Sequence, residues 1–394
     1  MEQTTQRRPR RRTLTPYQIH RRLQGKLLSA LLLGTVAIFL LVGLIQKDKE
    51  FSDSENRKLA QVPGFSQLKD GTYFSGLGDY VADQFPFRDQ WISLSLGMNT
   101  LLGQKEANGV YLCEDDYLMQ IPGEPNSQQV TKNLQAAEAF AAAYPEVSMY
   151  MTVVPNAVTV HADKLPENAP VRDQLADLNA ITSQLSSVKF LDVTDTLMSH
   201  SSEYLFYKTD HHWTSLAAFY AFQNMAPSMG LMVPDQSAYT VYPVSHTFEG
   251  TLSSKSGSHK AQDTVEIYVP TTAIDYYVTY ADTGEDVSSL YSREALNQKD
   301  HYTVFFGGNH PRLDVTTTAD TGRSLLLFKD SYANCMVQFL YPYFDHITVI
   351  DPRYFYDNVE LIMKSESITD VLYLYNLDTF NGDTSLADVL APQG

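Results

Sequence analysis

Leu27 to Ile45 (LLSALLLGTVAIFLLVGLI) runs for 19 residues without a charge, and eight basic residues against one acid precede it. At about 1.5 Å per residue, a helix of this length just crosses a hydrocarbon core of about 30 Å. In lipid a lone segment can satisfy its backbone polar groups only as a helix. The basic residues Arg7, Arg8, Arg10, Arg11, Arg12, Arg21, Arg22 and Lys26 all lie on its N-terminal side. The positive-inside rule then places residues 1–26 in the cytoplasm and the chain from about residue 47 outside. The alternative is a cleaved signal peptide, whose apolar part is usually shorter and ends in a small-x-small site. Gln46-Lys47-Asp48-Lys49-Glu50 follows here instead. The expectation is an uncleaved, single-pass anchor.

The 394-residue chain carries a net −17; residues 1–26 contribute +7, so the remainder carries −24. An acidic body argues against nucleic acid as a partner, because binding phosphates needs a positive field. With 43% apolar and 19% charged residues, the chain can bury a core and is not a wholly disordered one. Cys113 and Cys335 are too few for a disulfide scaffold or a cysteine-only zinc site. Nothing in the sequence requires them to pair.

Residues 46–127 are mixed and turn-rich and read as a membrane-proximal region. They hold Ser54-Glu55-Asn56-Arg57-Lys58-Leu59 and Asp83-Gln84-Phe85-Pro86-Phe87-Arg88-Asp89, which suggest an Arg–carboxylate pair. Gly109 to Met119 reads as a hairpin. From residue 128 to 394 the pattern becomes alternating helix and strand. Strands are predicted at 147–154, 188–193, 324–328, 346–350 and 370–375, each a short apolar run. Helices are predicted at 130–143, 171–185, 214–229, 331–340 and 357–364, with Thr214 as an N-cap and Gly230 as a stop. Residues 240–322, rich in Thr, Tyr, Val and Gly, break the alternation and read as a β-rich insertion beside the sheet. The fold class is α/β: a mainly parallel sheet with helices on both faces. In such sheets chemistry gathers beyond the carboxyl ends of the strands.

Two segments carry chemistry. Asp210-His211-His212-Trp213-Thr214 puts a carboxylate two residues from a histidine, where it can orient and stabilise an imidazolium. Phe328-Lys329-Asp330-Ser331-Tyr332 follows an apolar strand and opens a predicted helix. Ser331 at that helix N-terminus would have free N–H groups nearby to hold an oxyanion. A serine needs a base within hydrogen-bond reach, and His212 is the candidate, with Asp210 orienting it. Each segment also has a plain structural reading. Asp-Ser at a strand–helix junction is an ordinary N-cap, His211 can serve structure alone, and Trp213 can be a packing anchor. Asp-His-His could hold a metal, but it lacks a third ligand at helical spacing.

These residues resemble the DHHW family of bacterial surface proteins, named for the string Asp210-His211-His212-Trp213. That family is similar to SGNH-hydrolase-like polysaccharide O-acetyltransferases of the alginate type. In those, an Asp-x-His-Trp-Thr segment precedes a Gly-Asp-Ser segment, and Lys329 stands here in place of that glycine. The resemblance spans about residues 50–385. It implies a circularly permuted SGNH-like fold, since the Asp–His block precedes the serine block. On that mapping Asn376 falls near the oxyanion-hole asparagine, and Asn156 is a second candidate. Tyr332, His211 and Trp213 are further candidates for oxyanion or substrate contacts. No cofactor and no metal are implied.

The resemblance implies a membrane-anchored O-acetyltransferase that passes an acetyl group through Ser331 to hydroxyls of a cell-surface polysaccharide. Acetyl-CoA is absent outside the cell, so a multi-spanning membrane acyltransferase is the implied donor partner. Two alternatives stand beside it: an esterase using the same triad with water as acceptor, and a non-catalytic glycan-binding or export scaffold. The polymer, the donor and the oligomeric state are not legible in the sequence.

Overall fold

A computed structural model describes residues 15–52, 57–64 and 67–392. Arg7, Arg8, Arg10, Arg11, Arg12 and the Ser54-Glu55-Asn56 string lie outside the described residues. The chain divides into two compact units, residues 1–52 with 57–92, and residues 53–56 with 93–394.

In the first unit, helix α1 (Pro16–Ile45) is long and apolar enough to cross a membrane and buries none of its residues within the protein. It starts before the uncharged stretch because Thr15 and Gln18 form a capping box and Pro16 occupies the first helical position. Arg21, Arg22 and Lys26 are therefore helical. Helix α2 (Tyr73–Asp83) ends at a carboxylate that accepts from the Arg57 guanidinium at 2.9 Å. Arg88 approaches the same carboxylate at 3.6 Å. The Arg57 bond is the main reason the Asp83 carboxyl is held down at about 2.

The second unit opens with a small antiparallel sheet of β1 (Glu106–Ala107), β2 (Val110–Leu112) and β3 (Leu118–Gln120). Helix α3 (Ser127–Ala143) then leads to β4 (Ser148–Val154). Helix α4 (Gln174–Thr182), β5 (Lys189–Phe190) and α5 (Ser215–Met225) follow. Thr214 caps α5, which runs on as a 3-10 turn to Met229 before Gly230 stops it at φ +67°. Next come β6 (Tyr239–Phe248), β7 (Asp263–Pro270), β8 (Tyr276–Tyr280), β9 (Glu285–Val287) and β10 (Arg312–Thr317). The chain closes with β11 (Ser324–Lys329), β12 (His346–Ile350), α6 (Val359–Ser365), β13 (Asp370–Asn376) and α7 (Leu377–Gly382).

Eight strands form the main sheet in the order β9-β8-β10-β12-β11-β13-β4-β5. The five from β12 to β5 are parallel and the other three antiparallel. Alternate residues feed two cores, one on each face. Leu325, Leu327, Leu372 and Leu374 join α5, whereas Leu326, Phe328, Val371 and Tyr373 join residues of α3, α4 and α6. All seven residues of β13 are buried, as expected of a central parallel strand covered on both sides.

Three expectations change. The 188–193 strand shrinks to Lys189–Phe190, because it is an edge strand and Leu191 and Val193 are buried beyond the ladder. Residues 240–322 do not all stand beside the sheet. The β6–β7 hairpin does, but β8, β9 and β10 extend the main sheet by pairing β10 with β12. Residues 331–340 form a 3-10 turn, Ser331–Cys335, and a short α-helix, Val337–Leu340, rather than one helix. Ser331 therefore has no long helix dipole behind it.

Candidate active site

The Asp210-His211-His212 loop is pinched at its base by a β-bridge between Phe206 and Trp213. Asp263, at the start of β7, accepts from the backbone N–H groups of Lys208 and Thr209, both at 2.8 Å, and from the Tyr204 hydroxyl. The loop is thus held from outside its own sequence.

Within it, Asp210 uses both oxygens. Oδ1 accepts from the His212 N–H at 3.0 Å and from His212 Nδ1 at 2.5 Å. Oδ2 accepts from the Thr251 N–H at 2.7 Å and the Thr251 hydroxyl at 2.9 Å. Burial disfavours the Asp210 carboxylate, but the two histidines and these donors outweigh it and hold the carboxyl well below the usual range. With Nδ1–H committed to Asp210, His212 Nε2 is free to accept, and Ser331 Oγ lies 2.7 Å from it.

Ser331 is placed by Asp330, which accepts from the N–H of Tyr332 and from the N–H of Asn376, both at 2.9 Å. This ties the serine turn to the carboxyl end of β13. Residues at the ends of β11, β13 and β4 therefore meet on one side of the sheet.

Tyr302, from the β-rich insertion, completes the enclosure. Its ring lies flat against His212, with centroids 3.8 Å apart and planes at 14°. Its hydroxyl donates to the Ser331 carbonyl at 2.9 Å. Next to it, burial first and the Asp210 charge second push Asp300 up to about 6. Tyr302, Thr251, Gly250 and Asp263 were not singled out by sequence reasoning. No local pattern marks them, because each acts on a residue at least 29 positions away.

The other candidates fall into place as follows. His211 bonds the Thr251 hydroxyl through Nδ1 at 2.8 Å, and burial and the adjacent His212 lower it to about 4. Trp213 is fully buried and donates to the Tyr332 carbonyl at 2.9 Å, while the Tyr332 hydroxyl donates to the His211 carbonyl. Asn156 and Asn376 are both buried and bond each other at 3.2 Å. Asn376 Oδ1 also caps α7, and Asn156 exchanges bonds with Gln174. Lys329 is buried and turns its ammonium to Asp351 at 3.6 Å and Asn309 at 3.0 Å. Burial, opposed by Asp351, brings it down to about 8. Cys113 and Cys335 are both free.

Asp210, His211 and His212 also have potential ligand atoms within 4.8 Å of one another. An ion at about 2.0–2.2 Å from each ligand has no room between Asp210 and His212, which touch as a hydrogen bond. The donor set suits proton transfer rather than metal binding.

Fold and site together define an α/β protein with a Ser-His-Asp constellation at the carboxyl edge of a parallel sheet. The chain belongs to the DHHW family, whose model matches residues 139–350. Among solved structures it is similar to a DHHW family protein from Eubacterium siraeum, at 25% identity over 72% of this chain and 95% of that one, with a TM-score of 0.64. It is also similar to Bacillus cereus PatB1 with a sulfonyl adduct, at 18% identity over 70% and 98% of the two chains and a TM-score of 0.58. The O-acetyltransferase domain of Pseudomonas putida AlgJ matches at 15% identity over 71% and 95%, with a TM-score of 0.46. No curated protein matches the chain.

Proposed function

We propose that this protein is a membrane-anchored, extracytoplasmic O-acetyltransferase acting on hydroxyls of a cell-surface polysaccharide. The observation that carries this reading is the continuous hydrogen-bonded line from Asp210 through His212 to Ser331. Ser331 Oγ attacks the carbonyl carbon of an acetyl ester or thioester while His212 Nε2 takes its proton. The bond from acetyl to donor breaks, and His212 returns the proton to the departing group. A sugar hydroxyl then gives its proton to His212 and attacks the acetyl-serine. The bond between the acetyl carbon and Ser331 Oγ breaks, and His212 gives the proton back to Oγ. Asp210 holds the imidazole tautomer and stabilises the imidazolium in both halves. Asn156 and Asn376 remain the proposed oxyanion donors, with Tyr332, His211 and Trp213 as further proposed oxyanion or substrate contacts.

Lys329 is the feature of the serine segment that favours a non-catalytic scaffold. Its ammonium is taken up by Asp351 and Asn309 while Ser331 keeps its bond to His212, which supports a competent serine. Circular permutation is part of the proposal. Counted from β11, the parallel strands lie in the order 2-1-3-4-5, as in a doubly wound sheet. So is the layout: cytoplasmic tail 1–26, anchor 27–45, membrane-proximal region 46–127, catalytic domain 128–394. A multi-spanning membrane acyltransferase is the proposed donor partner.

The test is to supply an acetyl donor with cell-surface oligosaccharides and look for acetylated sugar. Bulk water is abundant, so transfer requires that a bound hydroxyl gain from orientation, and positioning can be worth about 10⁵ M or more in effective concentration. Acetylated sugar is the expected product. Free acetate at a rate no glycan alters would mean an esterase.

Tyr302 gives a finer expectation. Tyr302→Phe keeps the ring against His212 and loses only the hydroxyl's bonds to the Ser331 and Tyr332 carbonyls, so acylation slows by about tenfold or less. Tyr302→Leu loses both contacts and slows further, with KM little changed. Equal rates for the two variants would show that the stacked ring contributes nothing to placing His212.

A further inference from the structure

Phe39 lies six residues before the end of α1, about 9 Å along the helix axis from Ile45. Two rings from the membrane-proximal region pack on it: Phe85 stacks at 5.4 Å and 21°, and Trp91 sits at 6.0 Å. Pro86 lies against Gly43, 3.7 Å from where a Cβ would stand. If α1 spans the membrane, Phe39 is below the headgroups of the outer leaflet, and whatever touches it is there too.

We propose that the Phe85-Pro86-Phe87 turn and Trp91 form a wedge seated in the outer leaflet, with lipid as its occupant. This rests on the reading of α1 as an anchor. The depth matches that of interfacial elements, whose apolar faces sink about 5–10 Å into the headgroup–acyl boundary. Tryptophan is enriched at that boundary. Phe87 adds an independent observation. It holds a left-handed backbone, φ +60°, which is rare for a bulky residue, yet its ring is 57% exposed. The protein itself offers that ring little burial in return for the strain, whereas acyl chains would cover it. Trp91 at 45% and Phe85 at 39% exposed present the same apolar surface. The charges nearby are paired: Arg57 and Arg88 with Asp83, and Asp89 with Lys49 at 3.7 Å.

The chain has two tryptophans, Trp91 and the fully buried Trp213, so Trp91 can be read by difference. Full-length protein is reconstituted into phosphatidylcholine–phosphatidylglycerol vesicles whose acyl chains carry bromine at a shallow or a deep carbon. Shallow bromine is expected to quench a wild-type emission component that is absent from Trp91→Phe. Phe87→Trp in the Trp91→Phe background is expected to restore it. Carbonate washing of the vesicles separates the two readings. Protein that stays in the membrane, with Trp91 untouched by brominated lipid and quenched by aqueous acrylamide, would overturn the wedge and leave the anchor. Protein released by carbonate would overturn the anchor and the wedge together.

Discussion

Wild-type protein given an activated acetyl ester gains one acetyl group in its intact mass, and Ser331→Ala gains none. The same contrast is expected with a sulfonyl fluoride, which adds one sulfonyl group to the wild type alone. The reason is geometric: Ser331 Oγ is the hydroxyl placed 2.7 Å from the imidazole nitrogen that faces away from Asp210. Steady ester turnover falls at least about a thousandfold in Ser331→Ala, and by a similar amount in His212→Ala, because members of such a triad act as a unit. Circular dichroism and thermal unfolding distinguish this from misfolding. Neither change removes a large core side chain. Turnover unchanged in Ser331→Ala would take the serine out of the mechanism and return it to its plain role at the head of a turn.

Gly250→Ala is expected to cost nearly as much, although residue 250 carries no chemistry. A Cβ there would lie 2.2 Å from Asp210 Cβ and 2.4 Å from Asp210 Oδ2. Unbonded atoms cannot approach so closely, so something must yield. If Asp210 moves, His212 loses its orienting partner. If the backbone at 250–251 lifts instead, Asp210 loses both Thr251 donors. The backbone itself is no obstacle, since φ at Gly250 is −84°. The expected loss in acylation rate is about 10²–10⁴, approaching the loss seen when a triad aspartate becomes an asparagine. Crowding costs about 1–3 kcal/mol of stability as well. Thr251→Val, which removes only one of the two donors, should fall between Gly250→Ala and the wild type. A fully active Gly250→Ala would mean that the Asp210 carboxylate need not be held where it is.

The contrast between Ser331 and Gly250 marks how much of this protein can be read in advance. Strands β4, β11, β12 and β13 are continuous apolar runs because both of their faces are covered, and such runs stand out in one dimension. Asp210, His212 and Ser331 are visible because each sits in a short segment whose residue types match one chemistry. Gly250, Thr251 and Tyr302 lie in the insertion, and nothing nearby explains them. Their meaning comes from contacts closed across 41 positions to Asp210 and 29 to Ser331. The β8–β10 extension was missed for a related reason. Its strands are mostly half-buried and mix polar with apolar residues, so their pattern does not say which sheet they will join.

The sheet order also governs when the molecule can come into being. Strand β4 emerges early, yet its main partner is β13, with Thr152 opposite Leu374 at the far end of the chain. Until residues 370–376 arrive, β4 has only the two-residue β5 beside it. A strand left open this long is a site for mispairing with other chains. Contacts at such separations also slow folding, because a long loop must close before they form. The main sheet can therefore close only after residues 370–376 have been synthesised. Any folding helper would be needed during that wait, with β4 as the edge to shield.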